Sequence, residues 1–343
     1  MLSPDLTSQK TISTKAEPSP LKVLTELVKS DFDRVNNIIL ENLQSEIELI
    51  PRLASHLIQS GGKRIRPLLT LVSSKLCSYS GNAHLYLAAA VEFIHTATLL
   101  HDDVVDESAL RRGKPSANSV WGNQASVLVG DFLFSRSFQL MVKADSMKAL
   151  KSLSNAAAVL AEGEVMQLVD TGNLSISEDR YFDIIKAKTA TLFESACEVG
   201  GMISDAPDPQ LHALKHYGSD LGVCFQVIDD VMDYEASMED MGKASGDDLR
   251  EKKITLPIIY AYHHGTTDQK QFIEKIFQET YAPTDQDFRD LRNILDTLGA
   301  ISYAKSKAES YASQAQQHLS VFPKSEIKDQ MIDLVAFAVD RNQ

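Results

Sequence analysis

Residues 83–106 read AHLYLAAAVEFIHTATLLHDDVVD, a segment that is apolar nearly all round a helix and then ends in three aspartates. A helix with no polar face has to be surrounded by others, so this segment predicts a thick helical bundle with 83–106 at its centre. Its end is the difficulty. At 100° per residue Asp102 and Asp106 stand about 40° apart and share a face, with Asp103 beside them. Like charges one turn apart repel, and carboxylates at a helix C-terminus oppose the macrodipole. A solvated helix end is the plain alternative; a cation site is the other.

The same spacing returns in FQVIDDVMDYE, where Asp229, Asp230 and Asp233 again close a buried-looking helix. Asp247 and Asp248 follow in the long polar stretch 236–254. Two acidic faces directed at one cavity are tolerable only with cations between them. Hard oxygen ligands in that number select Mg²⁺ or Mn²⁺, and Mg²⁺ completes its shell with water and substrate phosphate oxygens. The aspartates therefore point to magnesium carrying a phosphorylated ligand.

Basic residues sit near both clusters. SGGKRIRP supplies Lys63, Arg64 and Arg66; Arg111 and Arg112 follow the first cluster; Lys188 with Thr189, then Lys243 and Lys253, lie beside or after the other motifs. Arginine forks suit phosphate oxygens. Singly each reads as a surface charge; together with two acidic clusters they suggest two polyphosphate groups held at once.

The remaining sequence narrows the class. Apart from the first 20 residues, most of the 343 positions follow helical periodicity, with helices expected at 21–50, 51–59, 65–78, 83–106, 119–143, 146–170, 178–201, 208–235, 255–263, 268–280, 285–297, 299–319 and 325–341. No β-hairpin signal is evident. The expectation is an all-α chain: a leader over 1–20, read as disordered and as neither secretory signal nor transit peptide, then one helical domain over 21–343. No uninterrupted apolar run of about 18 residues suggests a transmembrane segment. A net charge of −13 argues against nucleic acid as a partner. Three cysteines, with no CxxC, argue for a reducing compartment, hence the cytoplasm.

Several motifs, in order across residues 55–265, carry a resemblance: GGKRIRP, FIHTATLLHDDVVDESALRRG, WGNQASVLVGDFLFSRSF, AEGEVMQL, KAKTATLF, FQVIDDVMDY and GDDLREKKITLP. The chain resembles the trans-isoprenyl diphosphate synthases, most of all the bacterial long-chain branch that makes octaprenyl diphosphate for ubiquinone. The resemblance implies an all-α bundle with a central product cavity, and a homodimer. It implies repeated 1′-4 condensation of isopentenyl diphosphate onto an allylic diphosphate such as farnesyl diphosphate, with a product passed to the membrane. It assigns Mg²⁺, about three ions per site, to Asp102, Asp103, Asp106, Asp229, Asp230 and Asp233. It assigns isopentenyl diphosphate to Lys63, Arg66, His95 and Arg112. The allylic substrate falls to Arg111, Lys188, Thr189, Gln226, Lys243 and Lys253. Catalysis is carried by Asp102, Asp103, Asp106, Lys188, Gln226 and Asp229.

One departure stands out. The family commonly has glycine where this chain has Lys252 in GDDLREKK; by register Lys253 is the phosphate-facing lysine. Product length is read from Ala97 and Thr98, where short-chain members carry aromatics. Both are small, so the floor lies deeper; Phe93, Phe132 and Met141 are candidates for the plug, and each reads equally as ordinary core. A helix over 83–106 is about 36 Å long, and an extended C40 isoprenoid is on the order of 40 Å. Terpene cyclases are the nearest rival, but GGKRIRP has no purpose in an enzyme with one diphosphate. A non-catalytic subunit of a heteromeric synthase tends to lose one acidic cluster, and both are intact.

Overall fold

The computed structural model describes residues 18–59, 62–111, 113–235 and 246–340. The expected leader up to residue 17, Arg112 and Lys243 lie outside the described residues. Three helices come first, α1 (Pro20–Leu27), α2 (Lys29–Asn42) and α3 (Leu49–Gln59). Then come α4 (Ile65–Leu76), α5 (Ala83–Val105), a small hairpin of β1 (Leu110–Arg111) and β2 (Lys114–Pro115), and α6 (Ala117–Trp121). The long helices α7 (Asn123–Lys143) and α8 (Met147–Asp170) follow. α9 (Glu178–Ile185) passes through a π-helical turn, Lys186–Ala190, into α10 (Thr191–Met202), and α11 (Asp208–Glu235) ends the larger part. The rest is α12 (Asp247–Arg250), α13 (Leu256–His264), α14 (Thr267–Ile276), α15 (Asp285–Thr297), α16 (Ala300–His318) and α17 (Glu326–Val339). The fold is all-α.

α5 is the axis. Leu87 to Val91 are wholly buried, and the helix packs on α4, α7 and α10. Three consecutive alanines, Ala88 to Ala90, let neighbours approach closely, while Phe93 and Leu100 fill the wider layers at about 1.5–3 kcal/mol each. α11 packs on α10 and α16. Serines cap three helices: Ser146, Ser177 and Ser325 accept N–H groups at the starts of α8, α9 and α17. By length and hydropathy alone α5 and α7 are each long and apolar enough to cross a bilayer. α5 is instead mostly buried in the core, whereas α7 leaves Leu128, Phe138 and Val142 exposed.

Three expectations are corrected. The single helix over 21–50 breaks at Val28 (φ −117°, ψ 21°) and after Asn42, because α1 packs on α17 while α2 packs on α5. The helix over 178–201 contains the π turn, squeezed between α8 and α11. The chain also forms one hairpin where no strand is expected: β1 and β2 have two residues each, too few for alternation to register, and Gly113 (φ +73°) supplies the left-handed turn position.

Candidate active site

The first acidic cluster forms where α5 stops. Asp106 caps the helix, its N–H bonded to the Asp102 carbonyl at 2.8 Å. The Asp102 carboxyl is pushed up to about 7, by burial first, with Lys188 opposing and with Glu164 and Asp106 adding to the rise. Asp103 turns elsewhere. It is wholly buried and accepts from Arg111 Nε at 2.7 Å, while its Oδ2 has no hydrogen-bond partner among the described residues. Burial raises its pKa despite the arginine. Asn118 Nδ2 donates to the Asp103 carbonyl at 2.9 Å, so hairpin and α6 are both tied to this end of α5. Arg111 thus pairs with Asp103 and also lies close enough to Asp102 to lower its pKa.

The second cluster ends α11 and divides three ways. Asp229 is exposed. Asp230 is buried and accepts from Tyr181 Oη at 2.5 Å and Gln226 Nε2 at 2.7 Å, yet burial still lifts it to about 7. Thr189 Oγ1 donates to Gln226 Oε1 at 2.8 Å, completing a chain from Thr189 through Gln226 to Asp230. Asp233 accepts backbone N–H groups of Gly246, Asp247 and Asp248 at 3.0–3.3 Å and so anchors the start of α12. Burial holds it near 6 although those bonds favour the anion.

Two lysines join the clusters. Lys188, in the π turn, meets Glu164 of α8 at 2.7 Å and lies close enough to Asp102 to lower its pKa. This contact depends on Gly163: a Cβ there would stand 2.6 Å from the Lys188 backbone nitrogen. Lys253 reaches Asp106 Oδ2 at 3.2 Å and pairs with Glu251. Burial would lower Lys253, but Asp248, Glu251 and Asp106 together hold it well above the usual lysine range. Lys188, Thr189, Gln226, Asp230, Asp248 and Lys253 line one cleft of about 100 Å³, partly open to solvent. Asp230 at the end of α11 lines this cleft, and two of its lysines reach the end of α5: Lys253 contacts Asp106, and Lys188 lies near Asp102. Lys252 faces away, donating to the carbonyls of Ile276 and Tyr281.

The other expected residues form a separate corner. Arg66 Nη1 is 3.1 Å from His95 Nε2 and its guanidinium lies 4.4 Å from the Phe193 ring. Lys63 lies over Phe337 at 5.3 Å, and Arg64 turns to Asn36 and Glu92. His95 is two turns, about 10 Å, along α5 from Asp102. Ala97 is wholly buried and Thr98 half-buried. Tyr181, Glu164 and Asp248 had no assigned role from sequence. Glu164 sits inside the AEGEVMQL motif, Asp248 in the loop already marked as acidic, and nothing local marks Tyr181.

The donor set fits divalent cations. Asp102 and Asp230 ionise only near neutrality in the absence of a cation, and Asp103 keeps an oxygen unpartnered. Among the described residues no three His, Cys, Asp or Glu side chains converge on one point. A cation bound here would therefore complete its shell from water or ligand oxygens, as Mg²⁺ commonly does.

A protein-family model described as polyprenyl synthetase matches residues 47–295. The chain is 42% identical to the octaprenyl diphosphate synthase of Escherichia coli K12 over 323 residues, 94% of this chain and 99% of that one. It superimposes with a TM-score of 0.91 on a polyprenyl synthase of Caulobacter crescentus in complex with calcium and isoprenyl diphosphate. That match is 43% identical and covers 96% of this chain and all of the other. A decaprenyl diphosphate synthase from Rhodobacter capsulatus gives 0.90 at 43% identity, covering 94% and 100% of the two chains.

Proposed function

The chain belongs to the polyprenyl synthetase family and is a long-chain trans-prenyl diphosphate synthase, and we propose that its main product is octaprenyl diphosphate, C40, built from farnesyl diphosphate for quinone side chains. Identity alone does not decide length, since relatives at 42% and 43% are named for octaprenyl and decaprenyl products. The length reading rests on α5, whose 23 residues span about 34 Å below the acidic end, and on the small Ala97 and Thr98.

The observation that carries the function is the Lys253–Asp106 contact at 3.2 Å, made by a lysine that lines the same cleft as Asp230. It brings both acidic helix ends and two lysines to one space. Asp102 and Asp106 on one wall and Asp229 with Asp230 on the other would hold Mg²⁺, about three ions in all. When bound, these ions would neutralise the allylic diphosphate as it departs. Lys188 and Lys253 add fixed cations beside that leaving group. Asp103 fixes Arg111, and Asp233 fixes α12. Breaking the allylic carbon–oxygen bond leaves a carbocation, which the double bond of isopentenyl diphosphate attacks to form the new carbon–carbon bond. A proton then leaves the adduct for the departed diphosphate. The Thr189–Gln226–Asp230 chain presents oxygen dipoles without a nucleophile poised to trap the cation. Lys63, Arg66 and His95 hold the isopentenyl diphosphate. The apolar walls exclude water from the cation.

The exposed apolar face of α7, with Leu128, Phe138 and Val142, supports a homodimer packed through that helix. Three free cysteines support a cytoplasmic location, with the product passed on to the membrane. The test is to incubate the pure protein with farnesyl diphosphate, labelled isopentenyl diphosphate and Mg²⁺ and to size the dephosphorylated products. A linear C40 alcohol is expected. No elongation, or a cyclic hydrocarbon, overturns the enzyme; a dominant C35, C45 or C50 product overturns the assigned length.

A further inference from the structure

α12 ends in a turn that glycine usually makes. The Lys252 N–H bonds to the Leu249 carbonyl at 3.2 Å, the Lys253 N–H bonds to the Asp248 carbonyl at 2.9 Å, and Lys252 has φ +57°. This pair of bonds is a common helix stop, and its left-handed position favours glycine because a Cβ crowds the backbone there. Lysine occupies it here. Its Nζ donates to the Ile276 carbonyl at 2.5 Å and the Tyr281 carbonyl at 2.7 Å, at the C-terminal end of α14. A cation is favoured at such an end. The Lys252 carbonyl in turn accepts the Gly172 N–H at 2.9 Å. Gly172 directly follows Asp170 and Thr171, which line the cleft. Lys252 thus joins the α12 turn, the end of α8 and the end of α14. The next residue is Lys253, which crosses to Asp106.

We propose that Lys252 is a positioning residue for the condensation: its anchored side chain locks the α12 turn and thereby aims Lys253 between the two acidic helix ends. This rests on the role given to Lys253 above. A lysine placed only to staple the fold would affect stability without regard to Lys253. A lysine that aims Lys253 loses its importance once Lys253 has no charge to deliver.

Four substitutions, two of them also combined, separate these. Lys252→Met keeps the backbone conformation crowded and removes both side-chain hydrogen bonds. Its kcat/KM for elongation is expected to fall about tenfold, mostly in kcat, while in a Lys253→Met background the same change lowers it less than about twofold. Lys252→Arg, which can donate to both carbonyls, restores activity to within about threefold. Lys252→Gly relieves the crowding, folds for that reason, and falls between Met and wild type. An equal fall in both backgrounds, or full activity in Lys252→Met, overturns the proposal. Normal elongation by Lys253→Met overturns it together with the role of Lys253, whereas no elongation by the unaltered protein overturns the proposed function itself.

Discussion

Thr98→Phe should convert a long-chain synthase into a short-chain one. Thr98 lies one turn below Asp102 on α5, half-buried, with its hydroxyl donating to the His95 carbonyl at 2.9 Å. Four residues of helix are about 6 Å, and one extended isoprenoid unit is roughly 5 Å. A phenyl ring at 98 therefore leaves room for about one to two units below the reacting carbon, against the full 34 Å or so of α5. The lost hydroxyl bond is worth about 1 kcal/mol, so the fold survives. With geranyl diphosphate as primer, chromatography of dephosphorylated labelled products should show mainly the C15 alcohol, the first condensation retained and further elongation lost. A main product of unchanged length would refute the floor reasoning. Ala97→Phe makes the contrast. Ala97 is wholly buried, and overpacking there costs about 1–3 kcal/mol, so this variant should lose melting temperature as well as product length.

Two further outcomes follow from the geometry. Gly163→Ala places a methyl 2.6 Å from the Lys188 nitrogen; the π turn must shift, and turnover should fall at least about tenfold, with a stability loss of about 1–3 kcal/mol seen in denaturant titration. Wild-type turnover would show that Lys188 tolerates displacement. In metal-free protein, Asp102 and Asp230 near 7 and Asp233 near 6 lie above the 3.8 of an ordinary aspartate. The folded state then binds more protons than the unfolded state across that window, so stability falls as pH rises from 3.8 to about 7. Each kcal/mol lost lowers the melting temperature by about 2–4 °C. Thermal scans with chelator should give a lower melting point at pH 7.5 than at pH 5; a flat or rising profile contradicts the burial of these carboxylates.

How much of this was legible depended on whether a residue's role is local. The apolar circumference of 83–106 was enough to place α5 at the centre, and the repeated aspartate spacing was enough to find both helix ends. Register alone separated Lys253 from Lys252, and the left-handed turn at 252 explains why glycine is the commoner residue there. Spacing could not tell which protein partners each aspartate also takes. Asp103 accepts from Arg111 on a hairpin too short to show periodicity, and Asp233 accepts N–H groups at the start of α12. Tyr181 and Glu164 reach the site from other helices, 49 residues from Asp230 in the first case. No local pattern records such a distance. The π turn that presents Lys188 is set by the close approach of α8 at Gly163, a packing fact invisible to helical periodicity.

We propose that the ends of α5 and α11 form one cation site rather than two unrelated charged surfaces. Isothermal titration of Mg²⁺ into the protein with inorganic diphosphate tests it most directly. Saturable uptake of more than one ion is expected in the unaltered protein, and either Asp102→Asn or Asp229→Asn alone should weaken uptake at least about tenfold. Uptake that ignores one of these substitutions, or no uptake at all, would contradict the shared site.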